Sequence, residues 1–63
     1  MPAITIAMDQ ISEEKKRQLV ENLTRVAAEI TEYPPEFFFV YVHEYPAENI
    51  GVGGKTIKDM RTR

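Results

Sequence analysis

Hydrophobic residues alternate along the first segment of the chain. Ile4, Ile6 and Met8 fall on one face, and smaller or polar residues separate them. A period of two is typical of a β-strand that has one covered face. The pattern therefore predicts a strand from Ala3 to Met8.

The next segment has the period of an amphipathic helix. Ser12 is suited to accept hydrogen bonds as its N-cap. Pro34 and Pro35 should end the helix near Thr31 or Glu32, because proline removes a backbone donor and restricts the preceding residue. The apolar stripe of this helix comprises Leu19, Leu23, Val26, Ala27 and Ile30. We expect a helix of about five turns with this stripe turned inward.

The segment from Phe37 to Tyr45 is rich in aromatic and β-branched residues, which predicts a second strand. One face carries Phe38, Val40 and Val42, and the other carries Phe37, Phe39, Tyr41, His43 and Tyr45. A strand, a helix and a strand within this length predict a βαβ unit with parallel strands. One helix covers only one face of such a sheet. The aromatic face is therefore left for another chain.

The segment Gly51-Val52-Gly53-Gly54 has three glycines in four positions, which favours a tight hairpin. The last residues, 55–63, are compatible with a short helical turn or a frayed end. We therefore predict one α/β domain over residues 1–63. It consists of a single βαβ unit with parallel strands and a C-terminal glycine-containing hairpin, and oligomerisation completes it.

The composition also favours association. A chain of 63 residues hides only about 60% of the surface that its unfolded form exposes. It has no cysteine and one histidine, so neither a disulfide nor a zinc site within one chain can supplement the core.

Charge and hydropathy exclude other partners. Eight basic against ten acidic residues give a net charge of −2, so there is no basic field for nucleic acid. No apolar run approaches the ~20 residues of a membrane helix, and Met1-Pro2-Ala3 lacks the pattern of a secretory signal. We expect a cytoplasmic protein with neither a nucleic-acid nor a membrane partner.

Two short motifs have a chemical interpretation and a structural one. Gly54-Lys55-Thr56 matches the end of a phosphate-binding loop, but Asn49 stands where the first glycine is required and too few residues follow. His43 and Glu44 are neighbours in a predicted strand, so their side chains should point to opposite faces. A turn and a packing role are favoured, and nucleotide binding is the least favoured function.

Pro2 is the remaining candidate for catalysis. If Met1 is removed, its nitrogen becomes a secondary amine that can accept and return a proton when burial and nearby cations lower its pKa. If Met1 stays, that nitrogen is an amide and cannot act as a base. A proline here is also compatible with a structural role at the start of a strand.

Pro2, the strand, helix and strand, the Gly51-Val52-Gly53-Gly54 segment and the chain length together resemble the 4-oxalocrotonate tautomerase family of the small tautomerase superfamily. The resemblance spans nearly the whole chain. It implies a homo-oligomer, either a dimer or a hexamer built as a trimer of dimers, without metal or organic cofactor. It also implies that Pro2 moves a proton, as general base and then acid, in a small enol or unsaturated 2-oxo acid.

The sequence departs from that family at the residues that bind substrate. Two arginines are missing, one in the turn at 9–11 and one at Phe39, and Ile50 replaces a pocket phenylalanine. The resemblance implies a substrate pocket at Met8, Phe39 and Ile50, and its apolar character suggests a less charged substrate than the dicarboxylate of the namesake enzyme.

Another group must then stabilise the enolate oxygen. Backbone N–H groups near Met8 and Asp9 are one possibility, and a cation from another subunit is the other. The candidate cations are Lys16, Arg17, Lys55 and Arg61.

The sequence thus predicts an isomerase, a cofactor-free keto–enol tautomerase. The alternative is an oligomeric binding or scaffold protein of the same fold with little or no catalysis, which the missing arginines motivate.

Overall fold

The computed structural model describes residues 1–61, so the last two residues of the predicted tail lie outside the described part. The elements follow in this order: β1 (Ala3–Asp9), α1 (Glu13–Thr31), a 3-10 turn (Pro35–Phe37), β2 (Phe39–Tyr45), a second 3-10 turn (Ala47–Asn49), β3 (Gly51–Val52), β4 (Lys55–Thr56) and α2 (Ile57–Arg61).

The two long strands pair in parallel, which confirms the predicted βαβ unit. Their register runs from Ala3 beside Phe39 to Asp9 beside Tyr45 without a bulge. Both strands therefore begin at the same edge of the sheet. The Phe39 N–H extends the ladder by donating to the Pro2 carbonyl over 3.0 Å.

Helix α1 begins and ends where the sequence predicted. The Ser12 hydroxyl accepts a hydrogen bond from the Lys15 N–H at 3.2 Å. Glu32 ends the helix in the left-handed region, with φ 64°, and its N–H donates to the Ala28 carbonyl. Pro34 and Pro35 follow at once, so the chain turns back towards the sheet.

The second strand begins later than predicted. Phe37 belongs to the 3-10 turn, because its N–H donates to the Pro34 carbonyl at 3.0 Å and the Phe38 N–H donates to the Pro35 carbonyl at 3.1 Å. Since these donors close the turn, β2 starts only at Phe39. Phe37 therefore leaves the predicted aromatic face and lies at the edge of the sheet.

The apolar stripe of α1 is only partly covered by the sheet. Leu19, Leu23 and Ala27 are half-buried, as predicted, whereas Val26 is 43% and Ile30 is 77% exposed. The helix of 19 residues is about 28 Å long, and each strand of seven residues is about 23 Å long. A sheet this short and narrow cannot cover the whole stripe.

The outer face of the sheet is left uncovered by the residues that the structure describes. Its aromatic row on β2 is 43%, 48% and 40% exposed at Phe39, Tyr41 and Tyr45. No residue in the described part of the chain is fully buried. The fold of one chain therefore lacks a closed hydrophobic core.

The predicted hairpin is confirmed. Gly51 pairs with Thr56 and Val52 with Lys55 in an antiparallel ladder, and the turn between them is Gly53-Gly54. Both turn glycines have positive φ, 61° and 89°, which a side chain disfavours.

One ion pair joins the helix to the sheet. Glu44 lies on the helix side of β2, and its carboxylate accepts from Lys16 Nζ at 2.8 Å and from the Ile11 N–H at 2.9 Å. The Lys16 ammonium, followed by the Ile11 N–H, holds the pKa of Glu44 below its usual range. The carboxylate thus attaches the start of α1 to the end of β2.

This ion pair gives a pH-dependent stability. At pH 7, Glu44→Gln should lower the melting temperature, because the amide can still accept from Ile11 but has no charge for Lys16. A carboxyl with a lowered pKa stabilises the fold above its unfolded value, near 4.5, and that contribution is lost as pH falls through the folded value. The difference in melting temperature between wild type and variant should therefore decrease from pH 7 to pH 3, as measured by thermal unfolding followed by circular dichroism.

Glu48→Gln is the matched control, since the Glu48 carboxylate has no ion partner among residues 1–61. Its melting temperature at pH 7 should be close to that of the wild type. If the melting temperature of Glu44→Gln stays below that of the wild type by the same amount down to pH 3, the role of this ion pair is contradicted.

Candidate active site

Pro2 lies at the edge of the sheet where both long strands begin. It is half-buried, and its carbonyl is fixed by the hydrogen bond from Phe39. The register places Phe39 beside Ala3, one residue after Pro2. The structure therefore brings together two of the predicted site residues, Pro2 and Phe39.

A cavity of about 510 Å³ opens beside Pro2. Its other lining residues are Met1, Tyr33, Glu36 and Phe37. The rings of Tyr33 and Phe37 are 6.4 Å apart and tilted by 54°. The cavity therefore offers Pro2 a largely apolar surrounding with one carboxylate.

Tyr33, Glu36 and Phe37, which line this cavity, were not predicted as site residues from the sequence. The available signal was topological. Parallel strands that start at one edge place the residues before β2 beside the residues before β1. This relation was not recognised because Phe37 was predicted to be the first residue of the second strand, with its side chain on the aromatic face of the sheet.

The chemistry available to Pro2 depends on its nitrogen. With Met1 attached, the nitrogen is an amide without basicity, and only removal of Met1 makes it an amine. Met1 is 85% exposed, so no residue from 2 to 61 encloses it.

The other two predicted pocket residues, Met8 and Ile50, line a second cavity of about 330 Å³. Its further lining residues are Ala7, Tyr45, Asn49 and Gly51. Met8 follows Pro2 by six positions along an extended strand, a separation of about 20 Å. One chain therefore separates the predicted site into two halves at opposite ends of the sheet.

Most of the candidate cations are engaged within the chain. The ion pairs are Lys16 with Glu44, Arg17 with both Glu13 and Glu14, and Arg61 with Asp9. Lys55 makes no ion pair in the part of the chain that the structure describes. None of the described basic side chains lines the cavity beside Pro2.

The remaining motifs form no second site. His43 and Glu44 point to opposite faces as predicted: Glu44 contacts Lys16, and the His43 ring lies 6.5 Å from the Tyr41 ring on the outer face. Lys55 and Thr56 belong to strand β4, so they do not lie in the first turn of a phosphate-binding helix.

Two other kinds of site are absent from residues 1–61. No group of three or more histidine or acidic side chains is placed to hold a metal ion. No helix in this range has both the length and the apolar character needed to cross a membrane.

Comparisons with known proteins agree with this architecture. A family model described as "Tautomerase enzyme" matches residues 2–60. A probable tautomerase of Halalkalibacterium halodurans is 38% identical over 61 residues, which cover 95% of this chain and 100% of that protein.

Two solved structures extend the agreement to three dimensions. DmpI from Archaeoglobus fulgidus superimposes with a TM-score of 0.85 at 45% identity, covering 92% of this chain and 100% of that one. A heterohexameric 4-oxalocrotonate tautomerase from Chloroflexus aurantiacus superimposes with a TM-score of 0.88 at 27% identity, covering 97% of this chain and 100% of that one.

Proposed function

The chain belongs to the tautomerase family, and from this premise we propose that it is a cofactor-free keto–enol tautomerase whose general base is Pro2 after removal of Met1. The substrate is a small enol or unsaturated 2-oxo acid. The observation that carries the proposal is the position of Pro2, which lines a largely apolar cavity with Tyr33 and Phe37, residues that removal of Met1 leaves in place. These apolar neighbours disfavour a charged ammonium, whereas the Glu36 carboxylate favours it, so a cation from a neighbouring subunit is needed to lower the pKa of the amine towards neutrality.

The proposed reaction is a proton transfer in two steps. The neutral amine of Pro2 takes the proton of the enol hydroxyl and leaves an enolate. As an oxygen electron pair forms the C=O π bond, the electron pair of the C=C bond moves onto the carbon that is to be protonated. The resulting ammonium then gives a proton to carbon, which restores the amine. A single group thus acts as base and acid, and no redox change occurs.

Negative charge on the substrate oxygen needs a positive group near it. Within one chain no described cation lines the Pro2 cavity, and Lys16, Arg17 and Arg61 are held by carboxylates. Lys55 lies beside the hairpin turn without an ion partner in residues 1–61. We therefore propose Lys55 of a neighbouring subunit as the cation.

The complete site is proposed to form between subunits of a homo-oligomer, either a dimer or a hexamer. Met8 and Ile50 of a neighbour would close the apolar side of the cavity that one chain leaves open at Pro2. The uncovered aromatic face of the sheet supports association, because an exposed patch of this kind is unfavourable on a monomer. The relative from Chloroflexus aurantiacus is described as a heterohexamer.

A competing function is an oligomeric binding or scaffold protein. It is favoured by the same cavity if Met1 is retained, because an amide nitrogen cannot accept the enol proton. The state of the N-terminus therefore decides between the two functions.

Replacement of the base is the direct test. With Met1 removed, Pro2→Ala should lower kcat by at least about a hundredfold, since a positioned acid–base group contributes about that factor or more. The assay follows ketonisation of 2-hydroxypenta-2,4-dienoate, a dienol with one carboxylate, by its ultraviolet absorbance, and mass spectrometry verifies the N-terminus.

A chain that keeps Met1 is the second arm of this test and should be about as slow as Pro2→Ala. If the Pro2→Ala chain assembles normally and turns over at the wild-type rate, Pro2 is not the base and the scaffold function is favoured.

The proposed cation is tested by Lys55→Met. The variant should lose about a hundredfold in kcat while it stays assembled, because a single oxygen-stabilising donor has an effect of that size. Arg25→Met removes a cation paired with Glu29 on the surface of α1 and should leave kcat within about twofold. If the two variants lose the same factor in kcat, Lys55 is not the cation of the site.

Association through the sheet is tested by placing a charge on the outer face. Tyr41→Lys should shift the protein to monomers at micromolar concentration in sedimentation velocity, because burial of an unpaired ammonium costs several kcal/mol per copy. Glu21→Lys places the same group on the exposed surface of α1 and should leave the assembly intact. A Tyr41→Lys chain that sediments like the wild type would show that this face is not an interface.

A further inference from the structure

Glu36 is the acidic residue among those that line the cavity beside the proposed base. It lies in the 3-10 turn that precedes β2, and its side chain lines the same cavity as Pro2. It makes no hydrogen bond or ion pair with any residue from 1 to 61. Glu44, by contrast, is neutralised by Lys16. The Glu36 charge therefore acts on whatever enters the cavity.

The rest of the cavity wall is suited to an apolar group. Tyr33 and Phe37 line the same cavity as Glu36, and they are 52% and 51% exposed. Their tilted rings leave a surface that a hydrocarbon or planar unsaturated chain can contact. A carboxylate placed there would lose water and would meet the like charge of Glu36.

We propose that Glu36 is a specificity-determining residue that selects substrates by charge, admitting enol or 2-oxo acids with one carboxylate and disfavouring those with two. The proposal rests on the proposed function and names its substrate class: a monocarboxylate whose remote part is apolar and packs against Tyr33 and Phe37. The carboxylate of such a substrate points away from Glu36, and its apolar end lies beside the two rings.

The size of the effect follows from the exposure of the group. Glu36 is exposed, so its repulsion of a second carboxylate is partly screened and amounts to about a fivefold change in affinity. Salt weakens interactions between exposed charges, so the effect should decrease as ionic strength rises. A purely structural role of Glu36 would not produce this salt dependence.

Binding of two matched acids tests the proposal without relying on turnover. The probes are 2-hydroxyhexanoate and 2-hydroxyhexanedioate, which share a carbon chain, differ in one carboxylate and cannot tautomerise. Their Kd values are measured by NMR titration of the assembled protein with Met1 removed. Glu36→Gln should reduce the ratio of the dicarboxylate Kd to the monocarboxylate Kd about fivefold, and Glu36→Lys should reduce it further.

Glu21→Gln removes a charge that is unpaired among residues 1–61, on the exposed surface of α1, and should leave the ratio unchanged. The proposal is overturned if the Glu36 variants keep the wild-type ratio, if Glu21→Gln changes it equally, or if neither acid binds the wild type. If the Glu36 variants change the Kd ratio but Pro2→Ala keeps full activity, the charge selection by Glu36 stands and the catalytic role of Pro2 is overturned.

Discussion

The structure depends on one geometric constraint: a single helix can cover only one face of a two-stranded sheet. The inner face has α1, with Leu19 and Leu23 packed towards the strands. The outer face has no cover, and no residue in the described chain reaches full burial. Because hydrophobic stabilisation scales with the apolar area removed from water, a second copy that covered the outer face would add directly to the free energy of folding.

The same constraint explains how the candidate site is divided. Parallel strands in register begin at one edge of the sheet and end at the opposite edge. Pro2 lies at the edge where the strands begin and Met8 at the edge where they end, so a single βαβ unit cannot bring them together. The proposed site needs both halves and would therefore use two copies, and the same interface would cover the outer face of the sheet.

Local signals predicted the fold better than the site. Ser12 and the Pro34-Pro35 pair set the ends of α1, and strict alternation set the faces of both strands. Alternation could not show where β2 begins, since Phe37 fits either a strand or a 3-10 turn and backbone hydrogen bonds decide between them. The periodicity of α1 likewise included Ile30, but only the dimensions of the sheet show that one chain leaves it exposed.

Charge distribution was the least predictable property, because it depends on partners distant in sequence. Lys16 appears in the sequence as a free cation, yet Glu44, 28 positions later, neutralises it. Arg61 is neutralised by Asp9 across the length of the chain. Both cations are thus already paired within the chain, whereas Glu36 in the Pro2 cavity has no ion partner among residues 1–61. The described residues therefore give the Pro2 cavity a negative charge, and in the proposed reaction the positive potential for the enolate would have to come from a neighbouring copy.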